Sequence, residues 1–296
     1  MIFGHSIEFV DEPRLNFHTS SYVSTSHIYV KEIPSPDFEI YTDFFPHSLR
    51  NVRYGYHHPM RETKGKGVEW TMEIQNVLTL VWFPKRQTIG YQKGNEYTPE
   101  RLRFWLYHTF LPLLFQMEEL YHILHAGCVE VAGKAVIFMA PSFGGKSTMT
   151  DYFLRQGHRL LSDDTLAVKQ ESDGSYRAVA SWPFHRPYRE AETLGKETDA
   201  FVTEPLEIAT VFYLEKVDKR APIVCHSVQG IEKFKTIHYG SFIPLEFLKE
   251  KRFAFHTDFA KKTVVERITV PWSLDRLSEV YESVVERVNS QSKRKD

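Results

Sequence analysis

Residues 140–164, "APSFGGKSTMTDYFLRQGHRLLSDD", carry the side chains best suited to chemistry. Gly144, Gly145, Lys146 and Ser147 follow an apolar run and precede a helical pattern. That is the context of a G-x4-G-K-[ST] phosphate loop. In such a loop, backbone N–H groups of the turn and of the helix N-terminus face phosphate oxygens. Gly144 and Gly145 allow backbone angles and a close approach that a side chain would block. Lys146 neutralises the β and γ phosphates, and Ser147 offers its hydroxyl to Mg²⁺. Ser142, Phe143 and Thr148 are the other loop residues expected to contact a bound nucleotide. The motif's first glycine is replaced by Ala140. One added methyl group fits ordinary backbone angles, so the loop is expected to work.

Asp163 and Asp164 follow Lys146 by seventeen and eighteen residues, an interval that one helix and one return strand fill. If that strand lies beside the loop-bearing strand, its carboxyl end brings both carboxylates to the phosphates. Neighbours on a regular strand point to opposite faces, so the pair is expected to divide its duties unless the strand has ended there. One carboxylate would accept a hydroxyl proton and the other would hold Mg²⁺ or its waters.

The elements needed to position these groups are legible around them. "GCVEVAGKAVIFMA" reads as two strands joined by a tight turn, and the helix after the loop runs from about Lys146 to Gln156, with Gly157 as its stop. "HRLLSDDTLAVKQ" reads as a strand, "ESDGSY" as a hairpin turn, and "LEIATVFYLEK", residues 206–216, as a buried strand. Near the end, Leu274, Leu277, Tyr281, Val284 and Val288 share one face of an amphipathic helix that follows a last strand. Upstream, "SYVSTSHIYVKEI" and "VEWTMEIQNVLTLVWF" are strand-like, separated by turn signals. A helix begins at Thr98-Pro99-Glu100, Pro112 is expected to end or kink it, and a second helical stretch, "LLFQMEELYHIL", follows. The organisation expected is a β-rich domain over 1–97, an α/β domain over 98–290 and a frayed tail over 291–296.

With these elements placed, "HAGCVEVAGKAVIFMAPSFGGKSTMTDYFLRQGHRLLSDDTLAV" resembles the kinase core of the HPr kinase/phosphorylase family. The shared features are a histidine opening the first strand (His125), the phosphate loop, and an R-x-G-H-R-L-L-x-D-D element at Arg155–Asp164. A weaker resemblance runs on to about residue 288, and residues 1–97 lie outside it. The resemblance implies an α/β fold: a P-loop kinase core of the HPr kinase/PEP carboxykinase type, here preceded by a β-rich N-terminal domain. It also implies ATP- and Mg²⁺-dependent phosphorylation of a serine hydroxyl on a protein or peptide. Asp163 would be the general base, Asp164 would support the metal with Ser147, and His125 would sit beside the catalytic carboxylate. The family's second, glycine-containing signature has no counterpart in "ASWPFHRPYREAETLGKETDA". That segment does carry His185, Arg186 and Arg189, and Arg186 is a candidate ligand for the γ-phosphate or an acidic substrate.

Bulk properties narrow the function classes. The chain has 296 residues, 42% of them hydrophobic, and a formal net charge of −1, so no global field points to nucleic acid or an anionic membrane. The most apolar stretch, residues 104–115, is too short to span a bilayer and reads as a buried helix pair. Its N-terminus lacks the pattern of a signal peptide, and two isolated cysteines, Cys128 and Cys225, suit a reducing cytoplasm. A kinase of a small-molecule hydroxyl and an inactive nucleotide-binding protein stay open beside the serine kinase. So does a homo-oligomer, since the family enzyme assembles through its kinase core.

Overall fold

Strand-forming runs in the first third of the chain become one mixed sheet. The computed structural model describes residues 1–11, 26–47, 49–60, 66–187, 191–241 and 245–292. The sheet comprises β1 (Ser6–Phe9), β2 (His27–Glu32), β3 (Ile40–Tyr41), β4 (Phe45–His47), β5 (Arg50–Tyr56), β6 (Trp70–Ile74), β7 (Leu78–Phe83) and β8 (Thr88–Lys93). Its order is β1-β2-β8-β7-β6-β5-β3, with β4 also paired to β5. The run "VEWTMEIQNVLTLVWF" is not one strand but the β6–β7 hairpin, turning at Asn76, whose φ of 66° suits asparagine.

Thr98 caps α1 (Pro99–Trp105), its hydroxyl accepting the Arg101 N–H at 3.1 Å. The helix does not end before Pro112. It passes through a π-helical turn, Leu106–Phe110, into α2 (Leu111–Met117). Proline removes one intrahelical donor, and the widened turn just upstream accommodates that loss. Residues 104–115 are all buried, and Trp70 of β6 stacks on Phe110 at 4.5 Å. No described helix is long and apolar enough to cross a membrane. The second helical stretch stops at Met117, and His122–His125 is a strand.

The chain divides into two units. The first is Met1–Tyr121 with Arg189–Leu194 and Leu245–Leu248; the second is His122–Tyr188, Gly195–Pro244 and Lys249–Asp296. The boundary falls after Tyr121 rather than near residue 97, because the apolar helical run packs on the first sheet. Glu192 belongs to the first unit and is buried. Its carboxylate accepts from Arg50 Nη2 at 2.8 Å and Trp105 Nε1 at 2.8 Å, with Arg101 Nε at 3.1 Å.

The second unit is built on β9 (His122–His125), β10 (Gly127–Val131), β11 (Lys134–Met139), β12 (Leu160–Ser162), β13 (Thr165–Gln170), β14 (Tyr176–Val179) and the long β17 (Leu206–Val217). Between the last two lies a small hairpin of β15 (Phe184–His185) and β16 (Lys196–Glu197). The sheet order is β12-β10-β11-β17-β14-β13-β9; β19 (Val265–Pro271) pairs with β17, and β18 (Cys225–Ser227) pairs with β19. Side chains alternate along β11. Val136 and Phe138 join the core with α3 (Lys146–Arg155) and α6 (Leu277–Ser292); Ala135, Ile137 and Met139 join the core that includes residues of α4 (Gly230–Tyr239) and α5 (Lys249–Lys262). On α6 the buried face is Leu277, Val280, Val284 and Val288. Leu274 is exposed instead, because it lies in a 3₁₀ turn ahead of the helix.

Two expectations about the site-bearing strands are corrected. β12 is not next to β11, because β10 lies between them and runs antiparallel to both. The 158–170 strand is broken: β12 ends at Ser162 and pairs with β10, whereas β13 starts at Thr165 and pairs with β9 and β14. β11, β12, β17 and β19 therefore run in one direction, and their carboxyl ends share one edge.

Glu192→Ala would leave Arg50, Arg101 and the Trp105 N–H without their acceptor. It should cost about 3 kcal/mol in equilibrium unfolding, and Glu192→Gln less, because the amide still accepts two hydrogen bonds.

Candidate active site

The chain leaves β11 at Met139 and turns through 140–145 into α3. Gly145 caps the helix at φ 92°, and Phe143 stands at φ 61° with its ring exposed. Gly144 N–H donates to the Pro141 carbonyl at 2.9 Å. A Cβ on Gly144 would lie 2.7 Å from the Ala140 Cβ and 2.9 Å from the Pro141 oxygen. Glycine at 144 is thus what makes room for the methyl at 140. The first intrahelical bond runs from Met149 N to Gly145 O, so the N–H groups of Lys146, Ser147 and Thr148 precede the helical ladder. Lys146 is buried and donates from Nζ to the Ala140 carbonyl at 2.9 Å. Gly127 of β10 permits the close approach of α3, since a Cβ there would meet Thr150 Oγ1 at 2.6 Å.

Both aspartates sit in the break between β12 and β13. Asp163 is 4% exposed. Its Oδ2 accepts the Arg186 backbone N–H at 2.8 Å, and the Ser147 hydroxyl is near enough to favour its charged form. Its Oδ1 is buried and has no partner among the described residues. Burial raises the Asp163 carboxyl above the usual carboxylate range and the charge of Asp164 adds to this, whereas the Arg186 N–H, the Arg186 charge and the Ser147 hydroxyl oppose it. Asp164 is more exposed; its Oδ1 lies 3.4 Å from His125 Nδ1 and its Oδ2 lies 3.8 Å from Arg186 Nη2. Registry explains the histidine: His125 pairs with Thr165 across β9 and β13. His125 thus lies beside Asp164, and Ser147 neighbours Asp163.

Arg186 joins the site through both its backbone and its guanidinium. Gly195, at φ 88°, is required beside it, because a Cβ there would overlap the His185 carbonyl and the Arg186 Cγ. His185 turns away, its Nε2 lying 3.3 Å from Asp151 Oδ1 on α3. Arg189 lies outside the described residues.

A groove of about 480 Å³ opens on the other flank of the loop, lined by Ser142, Phe143 and Gly144 together with Tyr213, Lys216 and Arg267. Trp272, at the end of β19, is half exposed, and Lys216 Nζ lies 3.6 Å over its ring. Lys216, Trp272, Gly127 and Gly195 were not singled out by sequence. A tryptophan directly after a buried β-branched strand was the one available signal.

The donor set suits a hard cation. Ser147 and Asp163 are neighbours, and among the described residues no three His, Cys, Asp or Glu side chains form a cage. Mg²⁺ takes such sites, drawing one or two protein ligands and completing its shell from phosphates and water.

No protein-family model and no curated protein matches the sequence. Among solved structures, the chain is similar to the HPr(Ser) kinase/phosphatase from Coxiella burnetii, with 15% identity and a TM-score of 0.35, over 58% of this chain and 92% of that one.

Gly144→Ala should abolish binding of nucleoside triphosphate, whereas Ala140→Gly should leave it within about twofold and cost less than ~1 kcal/mol of stability; calorimetric titration and thermal melts read both. The raised Asp163 carboxyl has a pH signature. Below its unfolded pKa, near 4, both states are protonated and the group is neutral to stability; as pH rises, the unfolded chain ionises first and the folded state loses ground. Asp163→Asn should therefore melt above the wild type in Mg²⁺-free buffer at pH 7.5, and the gap should close as pH falls towards 4.

Proposed function

We propose that this chain is a kinase that transfers the γ-phosphoryl group of ATP to a serine hydroxyl of a protein or peptide. One observation carries the reading. At the shared carboxyl edge of β11 and β12, the serine in the first helical turn after a GGK loop neighbours one aspartate, while the next aspartate is flanked by His125 and Arg186. Phosphoryl transfer asks a protein mainly for position and charge, and each residue has a part in supplying them. The loop N–H groups from Ser142 to Thr148 and the Lys146 ammonium would cradle the phosphates. Ser147 and Asp163 would hold Mg²⁺, which lowers the charge repulsion between triphosphate and acceptor. Asp164, the more accessible carboxylate, would take the proton from the serine hydroxyl as its oxygen bonds to the γ-phosphorus and the bond to the ADP oxygen breaks. His125 would orient Asp164, and Arg186 would meet the charge on the transferred group. The groove beside Phe143 and Trp272 would take the nucleoside, its aromatic rings offering a stacking surface. This reading gives the base role to Asp164 rather than Asp163 because Asp164 is the more accessible carboxylate and His125 lies 3.4 Å from it.

Radiolabelled ATP, Mg²⁺ and a library of serine-containing peptides provide the test. Asp164→Asn should lower transfer at least ~10²-fold while ATP affinity holds. Asp163→Asn should raise the Mg²⁺ concentration needed for half-maximal rate, and Lys146→Ala should weaken ATP binding. Loss of transfer at saturating Mg²⁺ in Asp163→Asn, with Asp164→Asn active, would return the base to Asp163. Absence of ATP binding by the wild type would end the kinase reading.

A further inference from the structure

Helices α4 and α5 meet through a ring pair, Phe234 and Phe253, whose centroids lie 5.2 Å apart. Beside that pair the two helices leave a groove of about 590 Å³ that no residue of the phosphate loop lines. Its apolar wall is Ile231, Phe234, Phe253 and Ala260. Ile231 is 64% exposed and Phe253 57%, although Phe255 and Phe259 of the same helix α5 are buried in the core. Contiguous apolar surface of this kind marks a place where something docks.

The charges around the groove favour one sign. Together α4 and α5 carry seven Lys and Arg against three Asp and Glu, in a chain whose net charge is −1. Two of those carboxylates are taken, Glu232 by Lys235 at 2.7 Å and Asp258 by Lys262 at 2.8 Å. Lys233 and Lys261 line the groove, and no carboxylate among the described residues does. Neither lysine has an ion-pair partner among the described residues. Partial burial pulls the Lys233 ammonium below the usual lysine range, so a carboxylate arriving there relieves a desolvated charge.

We propose that the groove between α4 and α5 docks an acidic amphipathic helix of a partner protein. Its apolar side chains enter beside Ile231, Phe234 and Phe253, and its carboxylates meet Lys233 and Lys261. Helix-in-groove recognition places apolar anchors on one helix face, with charged residues along the borders of that face. A second copy of this chain is a poor occupant, because a two-fold contact sets the same positive excess against itself. An anionic membrane shares the charge but presents a flat surface, whereas the apolar side chains here line a recess.

The test uses the full-length protein and two fluorescein-labelled amphipathic peptides, one built of Leu and Glu, the other with Lys in place of every Glu. Fluorescence anisotropy should show the Glu–Leu peptide binding with a Kd of about 100 μM or below at low salt. The Lys–Leu peptide should bind at least about tenfold more weakly, and added salt should weaken the Glu–Leu peptide. Lys233→Glu and Lys261→Glu should each raise its Kd about fivefold, and Ile231→Ser and Phe253→Ser should each raise it about tenfold. None of these four side chains is buried, so melting temperatures should show every variant folded. The proposal is overturned if the Glu–Leu peptide does not bind at millimolar protein, if the Lys–Leu peptide binds as well, or if all four variants keep wild-type affinity. It is also overturned if vesicles of phosphatidylserine and phosphatidylcholine retain the protein through Phe253 while the Glu–Leu peptide does not bind, which would assign this face to a membrane.

Discussion

A carboxylate taken out of water shapes the second unit. Asp163 is nearly inaccessible, and an ion in such a place must find hydrogen bonds or lose its charge. Stabilisation comes from distant points of the sequence, a hydrogen bond from the Arg186 N–H after β15 and the dipole of the nearby Ser147 hydroxyl at the start of α3. Meeting both requires the strand to stop at Ser162, the 184–186 segment to dock alongside, and Gly195 to leave room for it. The remaining oxygen is left without a protein partner.

Interposing β10 sets the scale of that arrangement. Neighbouring strands lie about 4.8 Å apart, so the loop on β11 and the carboxylates after β12 are separated by two spacings, roughly 10 Å. That gap is bridged by α3, whose first turn carries Lys146 and Ser147 back over β10 at the point where Gly127 offers no Cβ. The helix N-terminus is thereby aimed at the carboxylates rather than away from them.

What the sequence disclosed was the local chemistry. The loop, its helix and the Asp pair are contiguous, with signals in glycine, proline and apolar periodicity, and all were legible. What stayed hidden depends on contacts between segments far apart in the chain. In "LLSDDTLAV" the Ser-Asp-Asp trio permits a break without requiring one, and the pairing of β12 with β10 and of β13 with β9 and β14 is what sets it. The placement of β10 between β11 and β12 is likewise a matter of pairing, which hydrophobic pattern alone does not encode. The helix continues past Pro112 for a related reason: burial on the first sheet outweighs the local penalty of the proline. Trp272 looked like one more apolar residue at a strand end until the fold set it beside Gly145.

Neither unit is continuous in sequence. The chain leaves the second unit after Tyr188 and re-enters it at Gly195, and a second excursion covers Leu245–Leu248. A cut at residue 121 would therefore strip the first unit of Glu192, the acceptor shared by Arg50, Arg101 and Trp105, and leave that anion on the other fragment. Gene fusion or fragment swapping at a single junction cannot inherit either half intact. A segment exchanged in place of the β-rich half would have to bring its own acceptor for Arg50, Arg101 and Trp105 and its own return of the chain at Gly195.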